Sequence, residues 1–201
     1  MATGKKSITT IAKLFGYSIL CIPHLLVFHL HPKRKIVHVD TKRWLEVYHQ
    51  DYGLSMGFIF LMSHYPEFRN LFYYRIGSIS FFLNILCRRM NTLFITTETI
   101  GEGLFIQHGF ATVIAARSIG RNCWINQQVT IGFSNKDDCP VLEDNVTINA
   151  GAKVIGGIKV GKNSIVGANA VVVKNVPENC VVVGIPAYIV KRDGQKVKQD
   201  L

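Results

Sequence analysis

The chain has 201 residues, of which 48% are apolar and 18% charged, a balance that excludes a disordered polymer and leaves ample material for a core. Lys and Arg number 23 against 13 Asp and Glu, and residues 1–99 hold 12 basic and 5 acidic side chains where residues 100–201 hold 11 and 8. The positive excess suits an anionic surface, but the basic residues form no stripe interleaved with aromatics, which argues against nucleic acid as a partner.

Residues 1–10 read as a loose polar tail. Residues 11–30 read as a helix with a break at Pro23. Their apolar part, 14–30, is 17 residues long and flanked by Lys5, Lys6 and Lys13 on one side and Lys33, Arg34 and Lys35 on the other. Three settings fit it: a buried or subunit-contact helix, a helix lying on the inner face of the cytoplasmic membrane, or a span. Pro23, His24, His29 and the short length weigh against the span. No small-residue cleavage site follows, so a secretory signal is not expected. Residues 41–50 place Trp44, Leu45, Val47 and Tyr48 at helical spacing, and residues 68–89 carry apolar runs too long for short strands. Arg75, inside that run, needs a partner or a route to solvent along its stem. A mainly helical region is therefore expected over 1–99.

From Ile100 the pattern changes. Leu142, Ile148, Val154, Val160, Val166 and Val172 recur every six residues, and Val146, Ala152, Ile158, Ser164, Ala170 and Val176 follow each by four. Neither a 3.6-residue helix nor a period-two strand gives this beat; a chain that turns a corner every six residues does. Three hexads make one triangular turn, so Ile100, Ile119, Leu142 and Val160 should stack, in about four coils. The beat is interrupted at 133–141, where Ser134, Asn135, Lys136, Asp137, Asp138, Cys139 and Pro140 mark a loop thrown out from one corner. The expected organisation is a helical region over 1–99, an all-β solenoid over 100–183 and an extension over 184–201. Five cysteines, Cys21, Cys87, Cys123, Cys139 and Cys180, form no CxxC pair and leave an odd count, the pattern of a reducing cytoplasmic protein without a zinc site or any other metal.

The strings IGEGLFIQHGF (100–110), SIGRNCWINQQVTIGF (118–133), NVTINAGAKVIGGIKVG (145–161), IVGANAVVVKNVP (165–177) and GIPAYIVK (184–191) resemble the hexapeptide-repeat acyltransferases, in the branch that holds the serine acetyltransferases and the surface-polysaccharide O-acetyltransferases. The segment HYPEFRNLFYYRIG (64–77) is similar to what precedes the repeat in those relatives. The resemblance implies a left-handed parallel β-helix, a homotrimer, and acetyl-CoA, the acyl-donor substrate, lying in the groove between neighbouring prisms. It implies that His108 is the general base, taking the proton of an acceptor hydroxyl as that hydroxyl attacks the thioester. Imidazole is suited to the task, since its near-neutral pKa lets it accept a proton and return it to the departing thiolate. Family positions place Gly132, Ala150 and Ala168 along the pantetheine channel, where lack of bulk admits the arm, and Lys174 and Lys191 near the CoA phosphates.

Several positions depart from the serine-specific pattern. Gln107 stands where those enzymes have Asp, Leu93 where they have a second Asp, and Asp138 and Cys139 where they have an Arg–His pair before Pro140. A zwitterionic amino acid needs a cation for its carboxylate and an anion for its ammonium. Uncharged Gln107, with Asp137 and Asp138 as acceptors of hydroxyl groups, better suits a neutral polyol, so the expected activity is O-acetylation of a saccharide, free or lipid-linked, in surface-polysaccharide synthesis. Serine O-acetylation is the alternative, and the chain's final Leu201, where that pathway's enzymes often end in Ile, weighs slightly against it. A non-catalytic scaffold is the third reading. Cys139 is not expected to act as a nucleophile, because no second histidine of the repeat could activate it.

Overall fold

The computed structural model describes residues 16–201, and the chain divides into two compact units between Arg89 and Met90. The expected polar tail at 1–10 and the start of the 11–30 helix lie outside the described residues. In the helical unit, residues 16–20 are helical, Cys21 forms a turn, and α1 (Ile22–Leu30) follows with Pro23 in its first turn. The break thus falls just ahead of the proline, where its missing N–H leaves no helical bond unmade. Among the described residues no helix is long and apolar enough to cross a membrane.

Helix α2 (Arg34–Val47) begins well before the expected 41 and buries Val37, Asp40, Thr41, Trp44 and Leu45, spaced three and four apart along one face. Helix α3 (Leu54–His64) buries every residue from Gly57 to Ser63, so it presents no amphipathic stripe. Helix α4 (Pro66–Ile76) starts with proline at its first position, and α5 (Ser80–Leu86) closes the unit. Aromatic rings fill the space between helices: Phe28 stacks on Phe58 with centroids 4.2 Å apart, and Phe58 meets Phe72 edge-on at 5.0 Å. The partner that Arg75 requires is Asp40, with Nε donating to Oδ2 at 2.9 Å and Nη2 to Oδ1 at 3.4 Å, both side chains buried.

The second unit is a parallel β-solenoid of about five turns with the form of a left-handed β-helix. Its short strands run β1 (Leu93–Ile95), β2 (Thr99–Ile100), β3 (Phe105–Ile106), β4 (Thr112–Ile114), β5 (Ser118–Ile119), β6 (Trp124–Ile125), β7 (Thr130–Gly132), β8 (Val141–Leu142), β9 (Thr147–Ile148), β10 (Lys153–Ile155), β11 (Lys159–Val160), β12 (Ile165–Val166), β13 (Val171–Val172) and β14 (Cys180–Val183). Strands three apart pair in parallel, and β12 also pairs in parallel with β14, giving faces β1-β4-β7-β10-β13, β2-β5-β8-β11 and β3-β6-β9-β12-β14. Ile100, Ile119, Leu142 and Val160 stack in register as their spacing requires. The four coils the hexads indicated are β2–β4, β5–β7, β8–β10 and β11–β13, and β1, paired with β4, and β14, paired with β12, extend them at the two ends to about five turns. Beyond Gly184, β15 (Tyr188–Arg192) and β16 (Gln195–Asp200) fold back antiparallel on β14.

The corners explain the asparagines and glycines. Asn145, Asn163 and Asn179 adopt positive φ of 59°, 59° and 55°, and their side chains form a ladder, Asn145 Nδ2 donating to Asn163 Oδ1 and Asn163 Nδ2 to Asn179 Oδ1, each at 2.9 Å. Cys123 is interior, 1% exposed, and burial pushes its thiol up to about 11. At Gly120 a Cβ would sit 2.5 Å from the backbone nitrogen of Asp144 in the next coil. Gly120→Ala is therefore expected to destabilise the solenoid by about 1–3 kcal/mol, read as a lower thermal midpoint, since backbone cannot yield as a side-chain tip can. An unchanged midpoint would contradict that coil spacing.

Candidate active site

Ile106, Ile125, Ile148 and Val166 pair in register down one face. Two residues beyond each of them the chain turns a corner, so His108, Gln127, Ala150 and Ala168 fall in one column. Ile106 is wholly buried, and the ring of His108 is exposed on the outer edge. The turn is tight: His108 has φ 63°, Gly109 has φ 52°, and the N–H of Phe110 donates to the His108 carbonyl at 2.6 Å. Beneath His108 the column ends in the small side chains Ala150, half-buried, and Ala168, exposed. Gln107 is turned along the wall, where its Oε1 accepts from Trp124 Nε1 at 3.2 Å, and the Trp124 indole packs edge-on against Phe105 at 4.6 Å.

The other expected residues lie elsewhere on the prism. Gly132 ends β7, buried and paired with Ile155, and Lys174 follows β13 at the same edge of that face; the His108 corner is the opposite edge. Lys174 Nζ donates to the Leu201 carbonyl at 2.7 Å, on the rim of a cleft of about 500 Å³ that Ile185, Pro186 and Tyr188 also line. Lys191 is exposed on β15, between Val181 and Lys196 in the ladder.

The extended loop leaves from the Gly132 edge and is shaped by its own side chains. Asn135 Oδ1 accepts from the N–H groups of Asp137 at 3.0 Å and Asp138 at 3.2 Å. Asp138 Oδ2 accepts from Ser134 Oγ at 3.0 Å and Asn135 Nδ2 at 2.6 Å, and Arg117 Nη2 donates to the Asp137 carbonyl at 3.1 Å. Asp137, Cys139 and Arg117 border a second cleft, of about 440 Å³. Within one prism, then, both aspartates lie across a full face from His108. Leu93 lies in β1 and is buried, 5% exposed. Sequence reasoning did not single out Gln127, Trp124 or Arg117. The first two are reached by adding the 19-residue coil step to His108 and to Phe105, whereas nothing in the sequence ties Arg117 to Asp137.

Residues 139–174 match the bacterial transferase hexapeptide model, described as six repeats. The chain carries the hexapeptide repeat over those residues. The serine acetyltransferase of Staphylococcus aureus (strain Mu50) is 49% identical to it over 102 residues, covering 49% of this chain and 48% of the relative. That of Synechococcus elongatus is 44% identical over 102 residues, 49% of this chain and 42% of the relative. This hexapeptide-repeat chain thus aligns with about half the length of the curated relatives it matches. Among solved structures, Neisseria gonorrhoeae serine acetyltransferase superposes with a TM-score of 0.68 at 25% identity, covering 96% of this chain and 82% of the other. A serine acetyltransferase in complex with CoA gives 0.66 at 25% identity, covering 89% and 83%.

These likenesses bear out the resemblance to the hexapeptide-repeat acyltransferases and overturn the saccharide acceptor. The curated relatives and the solved neighbours are named for serine, and polysaccharide synthesis has no support among them. The inference from missing charges weighed Gln107, Leu93 and the Asp138–Cys139 pair as though they alone could meet an amino acid. Yet Gln107 is bonded to Trp124, and Asp138 is committed to the interior of its loop. Association with membrane lipid likewise has no support.

Proposed function

We propose that this chain is an acetyl-CoA-dependent O-acetyltransferase that takes serine as acceptor, works as a homotrimer in the cytoplasm, and uses His108 as its general base. The observation that carries the reading is the exposed imidazole at the head of a column of small side chains, on a prism similar to serine acetyltransferases. The serine hydroxyl oxygen attacks the thioester carbonyl while a ring nitrogen of His108 takes its proton. The tetrahedral adduct collapses, the carbon–sulfur bond breaks, and the imidazolium returns the proton to the CoA thiolate. No acyl-enzyme is formed. Ala150, Ala168 and Gly132 offer little bulk to the pantetheine arm, and Lys174 and Lys191 supply cations for its phosphates.

The trimer gives the loop its part in this reading. In a ring of prisms, the Arg117 and Asp137 edge of one subunit faces the His108 corner of the next, bringing a guanidinium and a carboxylate to a zwitterionic substrate. Those charges stand in for the ones that Gln107 and the Asp138–Cys139 pair do not supply. The test is release of free CoA thiol from acetyl-CoA. Addition of L-serine is expected to raise release well above acetyl-CoA alone, with O-acetylserine formed in equal amount. Release that stays at the background rate with serine at millimolar concentration would overturn the proposed acceptor.

A further inference from the structure

Away from the prism, the helical unit gathers two thiols and an imidazole in its interior. Cys21 occupies the turn before α1, His24 the first turn of α1, and Cys87 the residue after α5; they are 0%, 0% and 1% exposed. The two sulfurs lie 3.8 Å apart, and one ligand atom from each of the three residues lies within 4.8 Å of the others. Two thiolates each about 2.3 Å from a tetrahedral zinc ion are themselves separated by about 3.8 Å, so the sulfurs stand at coordination spacing. The Tyr73 hydroxyl donates to the Cys87 carbonyl at 2.5 Å, with the Leu83 carbonyl at 3.3 Å, so its oxygen accepts from Nε2–H of His24 at 3.0 Å. Nδ1 of His24 is buried and has no hydrogen-bond partner. Such a nitrogen is anomalous in an interior, where polar atoms are nearly always satisfied.

We propose that Cys21, His24 and Cys87 form a structural site for a thiophilic divalent cation, zinc in the first instance, with Nδ1 of His24 as the nitrogen ligand, the Tyr73 hydroxyl fixing the ring through Nε2, and a water as the fourth ligand. Loading releases one proton from each thiol, so the two thiolates balance the dication and the buried complex is neutral. A neutral assembly is what an apolar interior accepts, and thiolate with imidazole is the donor set that selects zinc. The ion would join the beginning of α1 to the end of α5, elements 66 residues apart in sequence. That separation is why the cysteine spacing gave no sign of a metal: the usual signature is two ligands a few residues apart on one turn.

The 201-residue chain, purified under reducing conditions and stripped with chelator, is titrated with cobalt(II) as the spectroscopic probe and with zinc. One ion per chain is expected, with thiolate-to-cobalt charge-transfer absorption, tetrahedral ligand-field bands, and displacement of cobalt by zinc. Cys21→Ser and Cys87→Ser should each weaken binding by at least about 10-fold to 100-fold, whereas Cys139→Ser should leave it unchanged. Because either core variant may fail to fold, the wild-type chain is also alkylated with and without zinc. Zinc should protect Cys21 and Cys87 specifically. Absence of charge-transfer absorption in the wild type, zinc protection of other cysteines instead, or a Cys21–Cys87 disulfide persisting under reductant would each overturn the site. None of these readouts depends on acetyl transfer.

Discussion

Replacing His108 with alanine is expected to lower kcat for acetyl transfer by about 100-fold to 10,000-fold, the range that a positioned acid–base group contributes. On the proposed mechanism the loss should fall on kcat, because the ring would act on the proton in flight and would not hold the CoA arm; KM for acetyl-CoA should stay within about threefold. The substitution removes no core contact, since the side chain is exposed on its corner. Its backbone is another matter. His108 sits at φ 63°, where alanine is disfavoured and asparagine is tolerated. His108→Asn is therefore the cleaner variant, preserving the corner while removing the base. Both should keep the wild-type oligomeric state and bind CoA in calorimetry with nearly unchanged affinity. Turnover within tenfold of wild type in both would remove His108 from its role.

The second large effect belongs to the helical unit. Asp40→Leu leaves the Arg75 guanidinium buried without its carboxylate and is expected to cost about 3–5 kcal/mol. The cost comes from the stranded charge. Asp40→Leu combined with Arg75→Met, which removes both charges and fills similar volume, should recover most of it. Because the chain has two compact units, a single melting temperature would mix them. Amide hydrogen exchange in α2 and α4 is the appropriate measurement, and faster exchange there than in the solenoid is the expected outcome for the single variant. Equal stability of the single and double variants would show that the pair contributes little.

The solenoid was legible because its period is written one residue per face. Ile100, Ile119, Leu142 and Val160 each fill the same position of a successive coil, so spacing alone predicts a stack that the paired strands display. The loop at 133–141 was visible as the place where the count fails. Helix α3 was not visible, because a segment buried all round, from Gly57 to Ser63, has no polar face to set a helical period. Strand β1 was missed for a related reason: it contributes Leu93 to the interior but has no preceding hexad to define its beat. Antiparallel β15 and β16 lie outside the repeat, so its rule said nothing of them.

The candidate site was legible in part. His108 stood out as the one imidazole of the repeat, and its column with Ala150 and Ala168 follows from the coil step. The acceptor was misjudged because charge complementarity was sought at a few positions, two of which have bonding partners inside their own prism. Arg117 escaped notice because an isolated arginine carries no signature until the loop is seen to fold against it. The Cys21, His24 and Cys87 cluster was hidden by the same kind of distance, being assembled by helix packing.

A crystal structure of the protein with CoA, in the trimer proposed for it, tests the central claim most directly. The account predicts the CoA sulfur within hydrogen-bond reach of a His108 ring nitrogen, with the pantetheine arm passing along the Ala150 and Ala168 column. A sulfur lodged at the far edge of the face, or a His108 ring turned away from the thiol and packed against its own prism, would contradict it.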